Sequence, residues 1–261
     1  MMRRELCHLW GPFSIYSYGL AMAIGILVFV LLSLQHPWRV RLLSKEKFIE
    51  AVGLSLVVGL MGGRLLFILN SLSRFDNWKE AFALWNGGLS VMGGIIAILI
   101  FLPPFLKKIN VPALPLLDLA ALHAPLLHSI ARLGCFMAGC CFGLPTNLPW
   151  AITYTDPFSE APLHIPLHPT QLYMVALYLF VFLFFYLCLQ KRVKAPGQML
   201  MAYLMAEGII RFGIDYLRDD MEYFPWDTRH IISANQMLAL GMFLASLAGS
   251  TFIHYRYKQQ R

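Results

Sequence analysis

The sequence predicts an all-α polytopic membrane protein with seven transmembrane helices, a small outer head and an interfacial amphipathic helix. Of its 261 residues, 58% are hydrophobic and only 13% are charged, and the mean hydropathy is +0.62. Several apolar runs reach the roughly 18 residues that a bilayer-spanning helix requires. Basic residues also concentrate in alternate loops, as they do in multi-pass proteins. We therefore expect one integral membrane domain over residues 1–261, and a water-soluble α/β protein is excluded.

Seven apolar runs define the expected spans in order. They cover about residues 14–34, 48–70, 87–106, 112–131, 171–190, 198–217 and 232–253. Asp118, His123 and His128 interrupt the fourth run. The first run resembles a signal peptide because two arginines precede it. Its apolar stretch continues to Leu34, however, so we expect an uncleaved span.

The charged residues predict the orientation of the chain. Basic residues follow the first, third, fifth and seventh spans: Arg39, Arg41, Lys45, Lys47, Lys107, Lys108, Lys191, Arg192, Lys194, Arg256, Lys258 and Arg261. The positive-inside rule then places the C-terminus in the cytoplasm and the N-terminus outside, with Arg3 and Arg4 as an opposing pair. The net charge of +7 is thus a topological signal, and no nucleic-acid partner is expected.

Two outer segments are predicted not to span the membrane. Residues 71–86 alternate aromatic and charged side chains at roughly helical spacing, which is typical of an interfacial amphipathic helix anchored by Trp78 and Trp85. Residues 133–170 form the longest outer connection, and six prolines interrupt it. A connection of this length usually has a function, so we expect a small outer head there.

Glycine pairs flank the second and third spans. Gly62 and Gly63 precede Arg64, and the pairs Gly87–Gly88 and Gly93–Gly94 enclose four residues. Close helix packing through small residues is one interpretation. The other is a broken helix whose backbone contacts a ligand, since paired glycines disfavour a regular helix start. We favour the second interpretation for the stretch from Gly87 to Gly94.

Two arginines lie in apolar sequence. Arg132 follows the run Pro115–Ile130, and Arg211 lies inside the run Met199–Leu217. A guanidinium in hydrocarbon costs roughly 3 kcal/mol or more, so it is usually retained for a partner or an anionic ligand. Its planar set of donors matches a phosphate. A structural ion pair is the alternative, for example between Arg211 and Asp215 one turn away.

Seven short blocks follow one another along the chain. They are Ser14–Gly19, Gly62–Arg64, Trp85–Gly94, Arg132–Gly143, His168–Tyr173, Arg211–Arg218, and Ser233 with Gln236. In this order, and over nearly the whole chain, they resemble the prolipoprotein diacylglyceryl transferase family of bacterial membrane enzymes. The fourth block is similar to that family's signature stretch, Arg-Ile-Gly-Asn-Phe-x-Asn-Gly-Glu-x-x-Gly.

The resemblance implies a location, a reaction and partners. The expected protein lies in the bacterial cytoplasmic (inner) membrane. It moves the diacylglyceryl group of phosphatidylglycerol to the lipobox cysteine of a prolipoprotein and releases glycerol phosphate. The nucleophile then belongs to the substrate. The expected partners are phosphatidylglycerol, the prolipoprotein signal peptide with its lipobox, and the lipid bilayer, and neither a cofactor nor a metal is expected.

The resemblance also implies the site. Arg132 and Arg211 are expected to bind the phosphate and to act in catalysis, together with Tyr18 and His168. Further contacts with phosphatidylglycerol are expected from Arg64, Gly87, Gly88, Gly93, Gly94, Gly143 and Asp215. Structural alternatives remain: Tyr18 suits an interfacial belt, His168 a helix start, and Arg64 or Asp215 an ion pair.

Three positions depart from the family pattern. Met92 replaces a histidine, Cys135 an asparagine and Cys140 a glutamate. A thioether is not a useful proton acceptor, so His128, His168 or water must take the proton from the substrate thiol.

The resulting cysteine group has four interpretations. The first is that Cys135, Cys140 and Cys141 pack as small buried hydrophobic residues. The second is a disulfide between Cys135 and either Cys140 or Cys141. The third is a metal site completed by histidine, and the fourth is a redox or acyl-accepting thiol. His123, His128 and His168 are the histidines considered for the metal site.

Three other functions compete with the transferase. The missing histidine suggests a non-catalytic family member. Broken spans and buried arginines suggest a lipid or anion transporter, although the chain shows no internal repeat. The cysteines suggest a thiol-redox protein, although they lack Cys-x-x-Cys spacing. We predict an active transferase because both arginines and the glycine blocks are present.

Overall fold

A computed structural model describes residues 5–10, 13–72, 88–218 and 232–259. The fold is predominantly helical. The helices are α1 (Ser17–Gln35), α2 (Pro37–Leu42), α3 (Lys45–Asn70), α4 (Val91–Lys108), α5 (Ala113–Ala138), α6 (Thr170–Leu187), α7 (Gln198–Asp215) and α8 (Ala234–Gln259). A 3-10 turn, Leu189–Lys191, follows α6. Strand β1 (Glu5–Trp10) pairs with β2 (Phe13–Tyr16), and β3 (Ile152–Thr153) pairs antiparallel with β4 (Pro166–Leu167).

Six helices of the described residues are long and apolar enough to cross a membrane. They are α1, α3, α4, α5, α6 with its 3-10 extension, and α8. This confirms a polytopic, mostly helical membrane protein. Within their most apolar windows only 11–22% of residues are buried in five of these helices, against 44% in α5. A helix that is apolar on most sides and uncovered by protein suits lipid, so α5 is the most enclosed of the six.

Helix α7, the sixth predicted span, does form over Gln198–Asp215. It does not belong to the six candidates, because Glu207, Arg211 and Asp215 add three charged side chains to its 18 residues. Its apolar character is therefore weaker than that of its neighbours. The number of seven spans stays a prediction.

The chain divides into two compact units. The arginine unit contains Met1–His8, Ser14–Ser33 and Leu117–Arg261, and the glycine unit contains Leu9–Phe13 and Leu34–Leu116. Most of α1 and α5, together with α6, α7 and α8, thus belongs to the arginine unit. The glycine unit holds α2, α3 and α4.

Helices α3 and α4 pack closely in the glycine unit because glycines face each other. A Cβ added to Gly62 would lie 2.7 Å from the carbonyl oxygen of Gly93, and one added to Gly94 would lie 3.0 Å from that of Gly59. The hydroxyl of Ser90 accepts the Gly93 N–H at 3.3 Å and caps the start of α4. The broken helix start favoured from the sequence is therefore wrong at Gly93 and Gly94, which lie inside regular helix. Gly87 lies outside the described residues.

In the arginine unit, the start of α7 contacts α5, and the chain beyond the end of α7 contacts the chain beyond the end of α5. At the start of α7, the N–H groups of Gly197 and Leu200 donate to the buried carboxylate of Asp118 at 2.6 and 2.8 Å. A carboxylate is favoured there because the first N–H groups of a helix lack partners and carry partial positive charge. Beyond the other end, the Leu144 N–H donates to the Leu217 carbonyl at 2.8 Å. Asp118 interrupts an apolar run because it caps a neighbouring helix.

The outer segment, defined as residues 139–169, follows α5. The predicted boundary at residue 133 is wrong by six residues, because α5 continues to Ala138. The helix ends where Gly139 adopts a left-handed conformation with φ 76°. Tyr154, Ala161 and Leu167 form a small core within this segment. The predicted interfacial segment 71–86 lies outside the described residues, apart from its first two positions.

Candidate functional site

Arg132 lies in the last two turns of α5, beside two cysteine sulfurs. Its Nη1 is 3.5 Å from the Sγ of Cys141 and 3.8 Å from the Sγ of Cys135. The ionisable groups of Tyr178 and Arg218 also act electrostatically on it. Thiol sulfur is a weak hydrogen-bond acceptor. The guanidinium therefore retains the capacity to bind a stronger, anionic acceptor.

Arg211 is oriented by Glu207, one turn earlier on α7. Its Nε donates to Oε1 of Glu207 at 3.0 Å, and Oε2 of the same carboxylate lies 3.6 Å from Nδ1 of His128. The Glu207 side chain is 11% exposed and that of Arg211 is 39% exposed. Asp215, the ion-pair alternative predicted for Arg211, is buried and accepts a hydrogen bond from the hydroxyl of Ser233. Arg211 thus keeps exposed surface while its orientation is fixed.

Tyr178 on α6 is a common neighbour of the two arginines. Its hydroxyl lies within electrostatic range of Arg132, Arg211 and Glu207. Its ring also packs edge-on against His128, with the ring centroids 5.1 Å apart. Tyr178 thus lies near both arginines, and a site shared by Arg132 and Arg211 stays a prediction.

Tyr18, in the first turn of α1, reaches the same region. The charges of Arg132, Cys135 and Cys140 act on its phenol group, which belongs to a 37%-exposed residue. Helices α1 and α5 approach closely here, since a Cβ on Gly134 would lie 3.0 Å from the Cα of Tyr18. The absence of a side chain at Gly134 is what lets Tyr18 stand beside Arg132.

His168 and Gly143 lie where the outer segment meets the start of α6. Nδ1 of His168 is 3.3 Å from the hydroxyl of Tyr173, which accepts the indole N–H of Trp150 at 2.7 Å. A Cβ on Gly143 would lie 2.6 Å from the Cβ of His168 and 2.6 Å from the carbonyl oxygen of Leu217. These contacts hold the outer segment in place. Roles in catalysis for His168 and in lipid binding for Gly143 stay predictions.

Two contacts of Arg64 lie inside the glycine unit. Arg64 is buried, its Nη1 donates to the Gly88 carbonyl at 2.9 Å, and its guanidinium carbon lies 5.5 Å from the centroid of the Phe67 ring. Gly88 has φ +80°, and Phe67 occupies the space that a Cβ would need. Arg64 therefore fixes the chain that precedes α4. Lipid contacts of Arg64 and Gly88, like those of Gly93 and Gly94, stay predictions.

Three cysteines meet at the C-terminal end of α5. The Sγ atoms of Cys135, Cys140 and Cys141 lie within 4.8 Å of one another, and all three are free thiols. The hydroxyl of Thr170 donates to the Cys141 carbonyl at 2.8 Å, and Nε2 of Gln171 donates to the Cys140 carbonyl at 2.8 Å. Hydrogen bonds with the thiols of Cys135 and Cys140 lower the pKa of the Cys141 thiol. The start of α6 thus fixes the backbone that carries two of the thiols.

The sequence reasoning missed Glu207, Tyr178 and Tyr203. Glu207 had a usable signal, because it lies four residues before Arg211 in the same apolar run, where an isolated carboxylate is costly. Tyr203 has its hydroxyl 3.3 Å from Nδ1 of His128. Neither tyrosine is distinguishable by sequence from other aromatic residues of apolar helices.

The fold and the site together define a class of protein. It is a multi-pass membrane protein in which a carboxylate that contacts an imidazole holds one guanidinium group, and a second guanidinium group lies beside two cysteine sulfurs. Arginines fixed in this way in a membrane protein form a site for an anionic ligand.

Comparison with known sequences identifies the family. The model of the family described as prolipoprotein diacylglyceryl transferase matches residues 4–252. The chain belongs to this family, which confirms the resemblance found in the sequence blocks.

A relative from Clostridium tetani is 32% identical over 240 residues, covering 92% of this chain and 93% of the relative's chain. One from Pseudomonas fluorescens is 33% identical over 249 residues, covering 91% and 88%. Both are named phosphatidylglycerol–prolipoprotein diacylglyceryl transferase.

Proposed function

We propose that this chain transfers the diacylglyceryl group of phosphatidylglycerol to the lipobox cysteine of a prolipoprotein. In this reaction the substrate sulfur forms a bond to the glyceryl carbon, the carbon–oxygen bond to the phosphate breaks, and glycerol phosphate leaves. The observation that carries the proposal is that Arg211 is oriented by Glu207 with its side chain 39% exposed, while Arg132 contacts the sulfurs of Cys135 and Cys141. The two arginines supply positive charge for an anionic lipid head, and the names of the relatives give the two substrates.

The phosphate is assigned to Arg132 and Arg211. Glu207 occupies the Nε edge of Arg211, which leaves the rest of a 39%-exposed side chain for an anion. Arg132 faces only weak sulfur acceptors through Nη1. Charge-assisted hydrogen bonds from two guanidinium groups bind the lipid phosphate and stabilise the charge that grows on it as it departs. Tyr18 is proposed to add its hydroxyl to this site.

The proton of the substrate thiol is assigned to His128. Its Nδ1 lies 3.6 Å from Glu207 and 3.3 Å from the hydroxyl of Tyr203, so a carboxylate stands ready to stabilise the imidazolium. Within residues 5–10, 13–72, 88–218 and 232–259, the side-chain hydrogen-bond network of His168 consists of the Tyr173 phenol and the Trp150 indole. An imidazole supported by a carboxylate is the better acceptor. His128 therefore replaces the base that Met92 is unable to provide.

We also propose that α7 crosses the membrane as a seventh span. At about 1.5 Å per residue, its 18 residues extend about 27 Å, close to the roughly 30 Å of a bilayer core. Its start contacts Asp118, near the start of α5, and the chain beyond its end contacts Leu144, which lies beyond the end of α5. The two helices therefore point in the same direction. Seven spans also place the four basic clusters that follow alternate spans on one side, with Arg3 and Arg4 on the other. That orientation has the N-terminus outside and the C-terminus in the cytoplasm of a bacterial inner-membrane protein, with the outer segment as its external head.

A lipidation assay tests the proposed function. The purified chain is reconstituted in vesicles containing phosphatidylglycerol and mixed with a lipobox peptide, and the peptide mass is measured. We expect a gain equal to one diacylglyceryl group. The matched control is the same peptide with serine in place of the lipobox cysteine, which should gain nothing. No gain with the cysteine peptide, where a related transferase gives one, would show a non-catalytic member of the family.

A further inference from the structure

The cluster of Cys135, Cys140 and Cys141 has no role in the transfer reaction as proposed above. Within the described ranges it is the one group of three or more His, Cys, Asp or Glu side chains whose donor atoms are close enough to share a metal ion. Cys135 is buried, and the other two are partly buried. Three thiols of one short segment therefore converge on a point shielded from bulk solvent.

The spacing of the sulfur atoms suits tetrahedral coordination. Zinc–sulfur bonds of about 2.3 Å in a tetrahedral site place neighbouring sulfurs about 3.8 Å apart. The three Sγ atoms already lie within 4.8 Å of one another. The largest sulfur–sulfur separation then has to shorten by about 1 Å, which rotation of the cysteine side chains can provide. A disulfide, in contrast, joins two sulfurs and leaves the third without a function.

The backbone of the cluster is fixed before any ion binds. The N–H groups of Gly139 and Cys140 both donate to the Cys135 carbonyl, at 2.9 and 3.2 Å, and close the end of α5. Cys141 takes a left-handed conformation with φ 57°, which turns its side chain back toward the helix end. The side chains of Thr170 and Gln171 donate hydrogen bonds to the carbonyls of Cys141 and Cys140, respectively, each at 2.8 Å. Such support by neighbouring groups is typical of ligand sets that bind metal tightly.

The charge of the surroundings also suits a metal–thiolate centre. Three thiolates and one divalent cation carry a net charge of −1. The guanidinium of Arg132, with Nη1 at 3.5 Å from the Cys141 sulfur and 3.8 Å from the Cys135 sulfur, offsets it. Thiolate sulfur accepts N–H hydrogen bonds better than thiol sulfur does, because ionised acceptors form the stronger bonds. Arg132 therefore favours the thiolate form of the cysteines, which is the form that binds a metal ion.

We propose that Cys135, Cys140 and Cys141 bind one thiophilic divalent cation of the zinc class, with the fourth position open to the acceptor thiol. Thiolate ligands select zinc-like ions over hard cations such as magnesium. Three protein ligands and one open position are typical of a zinc site that activates a ligand instead of only stabilising a fold. This gives the cysteines that replace the family's asparagine and glutamate a chemical role beside the phosphate site.

The open position deepens the proposed function and rests on it. The acceptor cysteine binds the cation as a thiolate, and its proton passes to His128 or to water. The bound sulfur then forms its bond to the glyceryl carbon as the carbon–oxygen bond to the phosphate breaks. No oxidant or reductant is needed, and the cation is unchanged at the end.

Metal content and cobalt spectroscopy test the site. The purified full-length chain is loaded with zinc, desalted and analysed for metal, and a second sample is loaded with cobalt(II) for absorption spectroscopy. We expect one ion per chain and intense sulfur-to-cobalt charge-transfer bands. Cys140→Ser and Cys141→Ser should each lose these bands, whereas Cys188→Ser, an exposed cysteine at the end of α6, should keep them. Thermal unfolding of each variant, measured without metal, shows whether it has folded.

Three results would overturn the metal site. They are no retained metal in the folded wild type, equal metal in a variant with all three cysteines replaced by serine, and a purified chain that lacks two hydrogens because a disulfide has formed. A separate measurement tests whether the acceptor thiol binds the cation at its open position. A lipobox peptide with cysteine should shift the cobalt bands and its serine analogue should not, and an identical response to both peptides would refute it.

The two proposals fail separately. Transfer at an equal rate by the metal-free and the metal-loaded chain would overturn the role of the cation in binding the acceptor thiol and leave the transferase intact. Metal binding and a cysteine-dependent spectral shift without any transfer would overturn the transferase and leave the site intact.

Discussion

Replacement of Arg211 by lysine separates positive charge from guanidinium geometry at the proposed phosphate site. In the wild type, Nε of Arg211 donates to Oε1 of Glu207 at 3.0 Å, so the planar group is oriented before lipid binds. In the proposed complex, its terminal nitrogens would donate to the phosphate from the same plane. A lysine ammonium keeps the charge, but it is a single point and is unable to hold both the carboxylate and two phosphate oxygens in fixed directions.

The expected loss follows from the number of contacts removed. A hydrogen bond to a charged group contributes about 1.5–3 kcal/mol. Because each 1.36 kcal/mol corresponds to a tenfold change in rate, losing one such contact should lower kcat/KM by about 10- to 160-fold. If the contact strengthens as the carbon–oxygen bond breaks, the loss should appear mainly in kcat. The same reasoning applies to Arg132→Lys.

The measurement is the initial rate of peptide lipidation in vesicles with phosphatidylglycerol in excess. Arg256→Lys is a matched control, because Arg256 lies near the end of α8 with its guanidinium carbon 5.1 Å from the centroid of the Phe252 ring. It should retain wild-type kinetics. Thermal unfolding of both variants should agree with the wild type. A folded Arg211→Lys protein whose kcat/KM stays within twofold of wild type would refute the assignment of the phosphate to Arg211.

Three further substitutions test the remaining contacts. His128→Ala should lower kcat about 100-fold or more with little change in KM, as expected for a proton acceptor; equal effects on both constants would contradict this role. Asp118→Ala leaves two N–H groups of α7 without their acceptor and should cost about 2 kcal/mol or more of stability, seen as a lower unfolding temperature. Gly93→Val should destabilise the contact with Gly62 by about 1–3 kcal/mol through overpacking. Gly53→Ala, on open α3 surface, should not, and similar unfolding temperatures for the two variants would exclude tight packing at Gly93.

The sequence predicted the helices well because bilayer-spanning segments must be apolar over a minimum length. That constraint acts along the chain, so it is visible in one dimension. Helix α7 also forms as predicted, but the hydropathy of the sequence does not explain its two carboxylates, which have partners outside the helix. Glu207 meets His128 of α5, and Asp215 meets Ser233 before α8. Such pairings depend on tertiary contacts, which hydropathy does not contain.

The end of α5 was misplaced for a related reason. Arg132 was taken as the boundary because charge usually ends an apolar run, yet a helix ends where its backbone hydrogen bonds end. Here that point is Gly139, whose left-handed conformation allows two N–H groups to close on the Cys135 carbonyl. The sequence grouped the three cysteines, but it placed Cys135 after the end of the helix. In the structure it lies one turn after Arg132 on the same helix.

The charge around Arg132 explains how the departures from the family pattern are compatible with one another. The Sγ of Cys140 lies within 4.8 Å of both sulfurs that contact Arg132, so a glutamate at this position would bring a charge of −1 into the surroundings of the arginine. Replacing it by a thiol alone removes that charge and leaves a partly buried guanidinium beside weak acceptors, which is costly in a membrane. Three thiolates with one divalent cation restore a charge of −1 at the same place. The substitutions at positions 135 and 140 therefore make electrostatic sense together, and neither does so by itself.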